Sequence, residues 1–280
     1  MGRRWPCAAG TFYPADPRRL RDEIETALGG SRLPVPDTPL AGPVGAVLPH
    51  AGYRYSGAVA GRGYRALAAL GRPEAVIILG TNHTGLGGPI TVAEPGVWET
   101  PLGELPVPGE WARGVAEALH AEQSDLPFSD EHSVEVQLPF LRHVFGGVPI
   151  VPVVVQHVGV ERARRAGAAL GRLTVDRSVA LVASSDFTHY APDPVAREKD
   201  RRAIAAILNL DLGGFYEAVV RHQISICGVG AIAIVLAAAR DAGLLGAELL
   251  DYRTSGEVAG HLDQVVGYAA ILFRKVDDVA

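Results

Sequence analysis

The chain of 280 residues is poor in cysteine and lysine, has no long uninterrupted apolar run and carries no excess of basic charge. Two cysteines, Cys7 and Cys227, exclude a disulfide-rich scaffold. Basic residues number 26 against 31 acidic ones, for a formal charge of −5, which leaves no electrostatic case for a nucleic-acid partner. Lys199 and Lys275 are the only lysines, so nearly all positive charge is arginine; with the abundant alanine, glycine and proline this reads as base composition. The longest greasy stretch, Ile224 to Ala239, is broken by Ser225, Cys227, Gly228 and Gly230. It falls short of the roughly 18–20 apolar residues of a spanning helix, and no membrane association is expected. Residues 1–14 hold Arg3 and Arg4 but no apolar segment of signal-peptide length, so a cytoplasmic protein with a free Cys227 thiol is expected.

What is present is apolar and regular. Hydrophobic residues make up 48% of the chain and charged residues 20%, too apolar for a disordered polypeptide. Short β-rich runs at Val44–Leu48, Ala75–Leu79, Ile150–Val155, Val179–Ala183 and Gly267–Phe273 alternate with helical spacing at Pro17–Leu28, Val59–Leu70, Glu161–Leu170, Arg197–Asn209 and Gly230–Ala242. Near-continuous apolar strands between helices predict an α/β fold, with a mostly parallel sheet covered on both faces. The proline-rich stretch Gly29–Gly42 reads as a loop, not a domain boundary, so residues 1–280 are expected to form one domain.

The polar residues follow the strands. His50 lies just past the first run, His83 four residues past Leu79, and Asp186 and His189 follow Ala183. Ligands of open α/β sheets bind beyond the carboxyl ends of the strands, where several loops gather. A histidine is by default a hydrogen-bonded loop or core residue, and His120, His143, His157, His222 and His261 are read so. His50 and His83 differ because Pro49-His50-Ala51-Gly52-Tyr53 and Gly80-Thr81-Asn82-His83-Thr84-Gly85 are small-residue loops that a ligand can approach closely. Cys227 precedes the apolar helix toward Arg240, where the helix dipole favours a thiolate. Two imidazoles and a thiolate suit zinc, copper or iron. In Asp130-Glu131-His132-Ser133-Val134-Glu135-Val136-Gln137, Ser133 or Asp130 could cap a helix whose turn places His132 and Glu135 on one side, or His132 could transfer protons beside a metal. Cys7 is read as incidental.

The motifs Ala8-Ala9-Gly10-Thr11-Phe12-Tyr13-Pro14, Leu48-Pro49-His50-Ala51-Gly52-Tyr53, Glu99-Thr100-Pro101-Leu102-Gly103, Ser184-Ser185-Asp186-Phe187-Thr188-His189-Tyr190, Cys227-Gly228-Val229-Gly230-Ala231 and Tyr252-Arg253-Thr254-Ser255-Gly256, with the two clusters around His83 and His132, together resemble the Memo family. In prokaryotes that family is called AmmeMemoRadiSam system protein B. The resemblance runs the whole chain in order. It implies the fold of the class III extradiol, non-haem iron dioxygenases, a metal held by His50, His83 and Cys227, and a cleft lined by His132, Asp186 and His189. The related dioxygenases use two histidines and a glutamate, and Cys227 stands where they have the carboxylate. Iron(II) is the metal the resemblance implies first, with copper or zinc as alternatives favoured by the softer thiolate. Three functions follow as expectations. One is a metal-dependent redox protein, with His132 and His189 moving protons and Asp186 orienting an imidazole. The others are a non-catalytic module for a phosphopeptide-type ligand or a radical-SAM pathway partner, and a zinc-dependent hydrolase. In each a small molecule or peptide would occupy the metal cleft.

Overall fold

A computed structural model describes residues 2–30 and 33–276. Its strands are β1 (Gly2–Arg4), β2 (Val44–Leu48), β3 (Ala75–Thr81), β4 (Ile90–Val92), β5 (Gly96–Thr100), β6 (Gly103–Val107), β7 (Glu122–Gln123), β8 (Ile150–Val155), β9 (Val179–Ser184), β10 (His189–Ala191), β11 (Gly246–Thr254) and β12 (Val265–Arg274). The helices are α1 (Pro17–Ala27), α2 (Tyr53–Leu70), α3 (Gly109–Leu119), α4 (Leu138–Phe145), α5 (Val160–Thr174), α6 (Asp193–Leu208), α7 (Leu212–Arg221), α8 (Val229–Asp241) and the short α9 (Gly256–Ala259).

The main sheet runs β11-β12-β2-β9-β3-β8-β4-β7, with β10 on the first residues of β12. The four central strands β2, β9, β3 and β8 are parallel, and every residue in them is buried. That double-sided burial is why they read as unbroken apolar runs. Helix α2 packs across β2 and β12, while α8, apolar on nearly all sides, packs across β2, β9 and β3. The expectation of a mostly parallel sheet is corrected at the flanks. There β11 with β12, β12 with β2, and β4 with β8 are antiparallel, so the sheet is mixed. Long connections let strands pair in parallel, as in the centre and between β4 and β7, whereas a short link such as that from β11 to β12 returns the chain antiparallel. A second sheet, β1-β5-β6, carries the N-terminal segment.

Of the loop expected at Gly29–Gly42, residues 31 and 32 lie outside the described residues; the rest is irregular apart from a bridge between Pro39 and Arg72. Helix α2 starts at Tyr53, six residues before the apolar periodicity begins, because Gly52 in extended backbone serves as its N-cap. Among the described residues no helix is long and apolar enough to cross a membrane.

Helices α5 and α8 approach through glycine. A Cβ built on Gly167 would stand 2.4 Å from Ala237 Cβ and 2.5 Å from the Ile234 carbonyl. In α3, by contrast, a Cβ on Gly114 meets nothing nearer than 4.0 Å. The same substitution therefore takes opposite signs. Gly114→Ala gains helix propensity and stabilises by up to about 1 kcal/mol. Gly167→Ala makes the same gain but forces two packed backbones apart, and loses about 1–3 kcal/mol net. Thermal unfolding of the two variants checks this: both shifting in the same direction would refute the close-contact account.

Candidate metal centre

Three adjacent strands of the parallel centre end side by side, with Leu48 opposite Ser184 and Leu79 opposite Ala183. Each passes a side chain to one edge: His50 after β2, Asp186 after β9 and His83 after β3. The fourth contributor, Cys227, comes from the turn ahead of α8. That turn is pressed on the end of β9, where Gly228 N–H donates to Ser185 Oγ at 2.9 Å. A Cβ on Gly228 would lie 2.5 Å from that of Ser185, so only glycine lets the sulfur come in. Cys227 Sγ stands 3.3 Å from His50 Nε2 and is also hydrogen-bonded by His83. The Asp186 backbone N–H donates to the same sulfur at 3.3 Å.

The tautomers are set by the partners. Ser184 Oγ lies 2.6 Å from the Ser133 carbonyl, which can only accept, so the serine proton goes there. His50 Nδ1, 3.2 Å from the same Oγ, must then donate, which leaves Nε2 for the site. His83 Nδ1 donates to Glu131 Oε1 at 2.9 Å, and its Nε2 also turns inward. Glu131 is fully occupied, because it also accepts the backbone N–H groups of His83 at 2.6 Å and Ser133 at 2.8 Å. At the rim, His189 Nδ1 donates to the Ser225 carbonyl at 2.9 Å.

The protein's own charges polarise the cluster. Burial opposes a charged ring at His50, yet the Cys227 thiolate and Asp186 raise it to about 9. Burial also works against His83, whose hydrogen bonds to Cys227 and Glu131 carry it to about 10. At Cys227 burial disfavours the thiolate, and the charges and hydrogen bonds of His50 and His83 reverse this, holding the thiol well below its ordinary range. Burial would raise Glu131, but His83 holds it near 2. His132, buried beside two cationic rings, falls to about 4 and is neutral at pH 7. Burial raises the Asp186 carboxyl.

The donor atoms of His50, His83 and Cys227 lie within 4.8 Å of one another. Nitrogen and sulfur bonds of about 2.0–2.3 Å at tetrahedral angles separate such atoms by about 3.3–3.8 Å, so the three fit one metal ion with small adjustments. A second grouping, His83, Glu131 and His132, is equally compact. It is the poorer choice because Glu131 already accepts three N–H bonds.

Of the residues expected at the site, His50, His83, Cys227 and His132 come together, Asp186 lies behind them and His189 sits on the rim. The expected role of Asp186 is corrected: its Oδ1 accepts the backbone N–H of His50 at 2.8 Å, not an imidazole. The residues that orient rings are Ser184 and Glu131, which sequence reading missed. The capping box is also not formed. Ser133 Oγ donates to the Thr81 carbonyl at 2.8 Å, and α4 begins at Leu138, with Gln137 as an N-cap that makes no side-chain cap bond. His132 and Glu135 part company. The His132 ring stacks between Phe12, at 4.3 Å, and His83, at 4.6 Å. Glu135, fully buried, accepts from Arg4 Nη1, the backbone N–H of Cys7 and Ala8, and the Tyr13 hydroxyl, at 2.7–2.9 Å. Cys7 is thus part of the clamp that fixes the N-terminal segment, and with it Phe12, over the centre. The other histidines are mostly as expected, with His120 and His222 as C-caps of α3 and α7.

The chain falls in a family of known proteins. The family described as Memo-like protein matches residues 4–272. A MEMO1 family protein of Methanopyrus kandleri is 45% identical over 97% of this chain and 99% of its own length. One from Thermotoga maritima is 40% identical over 97% of this chain and all of its own. Among solved structures, an uncharacterized protein of Escherichia coli K12 shares the fold at a TM-score of 0.55 and 15% identity, covering 82% of this chain and 98% of that one. With a family match over nearly its entire length and full-length relatives above 40% identity, the chain belongs to the Memo family.

Proposed function

We propose that this Memo-family protein is a metal-dependent redox protein, with iron(II) held by His50 Nε2, His83 Nε2 and Cys227 Sγ. One observation carries the reading: both rings have their Nδ1 protons committed to Ser184 and Glu131, so the two Nε2 atoms face one sulfur, and a metal would bind there by displacing the protons they share with it. Backing of this kind is what metal-binding histidines use to fix ring orientation and raise basicity. Copper and zinc accept the same three donors, and the thiolate favours them more than a carboxylate would. When bound, the metal would supply an open coordination position and a redox couple to a small molecule or peptide in the cleft.

The chain's own residues do the rest. His132 has no acid within hydrogen-bond reach, its nearest being Glu131 Oε1 at 3.7 Å from Nδ1, so its ring nitrogens are left to exchange protons with a ligand. His189, whose Nδ1 is committed to the Ser225 carbonyl, keeps Nε2 for proton exchange at the rim. Asp186 fixes the His50 backbone through one atom group and the Cys227 sulfur through another. Phe12 covers His132 and keeps water from that side. The zinc hydrolase reading is supported by the carboxylate–histidine pair Glu131–His83. It is weakened by the lack of a free carboxylate base, since Glu131 and Asp186 are both engaged by N–H donors. A phosphopeptide module or a radical-SAM pathway partner would use the same cleft without needing the metal, and its location would be the cytoplasm.

Elemental analysis of protein purified without oxygen tests the core of this reading. About one metal ion per chain is expected, lost in His50→Ala and Cys227→Ala while both variants stay folded by circular dichroism. Metal-free wild type, or unchanged metal content in the variants, would overturn the ligand assignment. If the ion found is zinc and iron-loaded protein consumes no oxygen with catechol-type substrates, the redox reading gives way to the hydrolase.

The backing residues give a finer test. Glu131→Gln keeps the shape but weakens the acceptor of His83, and is expected to lower metal affinity by roughly 10- to 100-fold in chelator competition. An unchanged affinity would mean that His83 is not a ligand.

A further inference from the structure

Away from the metal centre, the C-terminal end of α4 presents an arginine with no hydrogen-bond or ion-pair partner among the described residues. No carboxylate or carbonyl of the described residues accepts a hydrogen bond from Arg142, and its buried Nε is left unsatisfied. Such a donor is costly to leave bare. The fold nonetheless makes room for it. A Cβ on Gly103 would fall 2.7 Å from Nε, and Gly103 adopts φ +122°, a backbone that favours glycine. The Thr100 hydroxyl locks the turn by donating to the Gly103 carbonyl at 2.8 Å and accepting the Leu102 N–H at 3.1 Å. The Glu99–Gly103 motif, which has no part in the metal centre, is therefore the seat of the Arg142 guanidinium.

Arg142 and His143 together line two neighbouring cavities. One, of about 510 Å³, lies between the ends of α1 and α4 and includes Arg72. The other, of about 390 Å³, lies between α1 and the β5–β6 turn and includes Arg21 and Glu25. Arg21 forms no ion pair among the described residues, and Arg72 is held only by Asp37, 3.3 Å away on a side chain that is 97% exposed. Glu25 is the single acid among the described residues of either lining. Three arginines thus converge on one concave surface of a molecule whose net charge is −5.

We infer that these cavities form an anion site centred on Arg142, with Arg21 and Arg72 on its walls, which takes a small phosphate-bearing molecule. Forked guanidinium donors match phosphate oxygens, and each cavity is within the range of about 300–1,000 Å³ typical of small-ligand sites. A local, concave cluster of this size suits a compact anion and offers no track for a nucleic-acid strand. The inference does not depend on the metal reading.

Calorimetric titration of the full chain with inorganic phosphate and with pyrophosphate, at constant ionic strength, tests it. One binding event per chain is expected, weakened at least about tenfold in Arg142→Gln and several-fold in Arg21→Gln, whose exposed side chain is not needed for folding. Binding is expected to persist in Cys227→Ala, which separates this site from the metal centre. No binding by wild type at about 10 mM ligand would overturn the proposal. So would wild-type affinity in both arginine variants, loss of binding in Cys227→Ala alone, or citrate binding as tightly as pyrophosphate.

Discussion

The hydroxyl of Ser184 has a single proton, and where that proton goes orders the whole centre. It goes to the Ser133 carbonyl, and the oxygen then accepts from His50 Nδ1 and from Gln137 Nε2 at 2.8 Å. Gln137 gives its other amide proton to the Pro49 carbonyl at 2.9 Å, and its own oxygen accepts the Tyr64 hydroxyl at 2.9 Å. Five segments meet in this exchange: the end of β9, the loop before α4, the start of α4, the loop carrying His50 and, through Tyr64, α2. None of these groups reaches water, so a reversed proton would leave a buried carbonyl bare at a cost of about 1–3 kcal/mol. The protonation pattern of a candidate ligand is thus fixed by tertiary structure at a distance from the ligand atom.

The same logic governs the covering segment. Glu135 is a buried carboxylate with four separate partners from the first thirteen residues, and Arg4, one of those partners, also lies over Trp98 at 4.1 Å and donates to the Phe128 carbonyl at 2.8 Å. A buried ion pair of this kind stabilises little by itself relative to an apolar substitute. What it does is fix a register. The N-terminal stretch has few apolar residues to pack, and without such anchors Phe12 would have no defined place over His132. Tyr53, the first residue of α2, completes the arrangement by donating its backbone N–H to the Phe12 carbonyl at 2.8 Å.

The sequence made the centre of the fold legible and left its margins obscure, for physical reasons. The parallel strands β2, β3, β8 and β9 are buried on both faces and leave an unmistakable apolar signature, and the position of His50, His83 and Asp186 just beyond them follows. The strands β4 and β7 are too short to show a period, and β11 is half-buried or exposed over all but its last residue, with no alternation to read. Residue roles were harder to read than positions. Glu131 and Glu135 stand four apart in one acidic run, yet one backs His83 and the other holds the N-terminus, a division made by contacts more than 40 residues away in sequence. Asp186 had the right address and a different task, because a carboxylate near a histidine can bond its backbone as readily as its ring.

The thiolate is the point at which this centre departs from a site of two histidines and a carboxylate, and its surroundings suit sulfur. A carboxylate has two oxygens to satisfy with strong, short hydrogen bonds. Sulfur needs weaker and longer ones, and here it receives the Asp186 N–H at 3.3 Å and lies within 3.7 Å of the Ser185 hydroxyl. The approach of the Cys227 turn to the end of β9 depends on Gly228, and Gly230 is held as closely, with the Gln156 carbonyl 2.9 Å from where its Cβ would be. These contacts hold the turn, and with it the Cys227 backbone, close against the end of the sheet. A cysteine reaches the two Nε2 atoms from there because its side chain ends one bond past Cβ, and its sulfur already stands 3.3 Å from His50. The close packing of α8 on the sheet and the short reach of the candidate sulfur donor therefore go together: the tight turn brings Cys227 near enough for a side chain of two heavy atoms to face both rings.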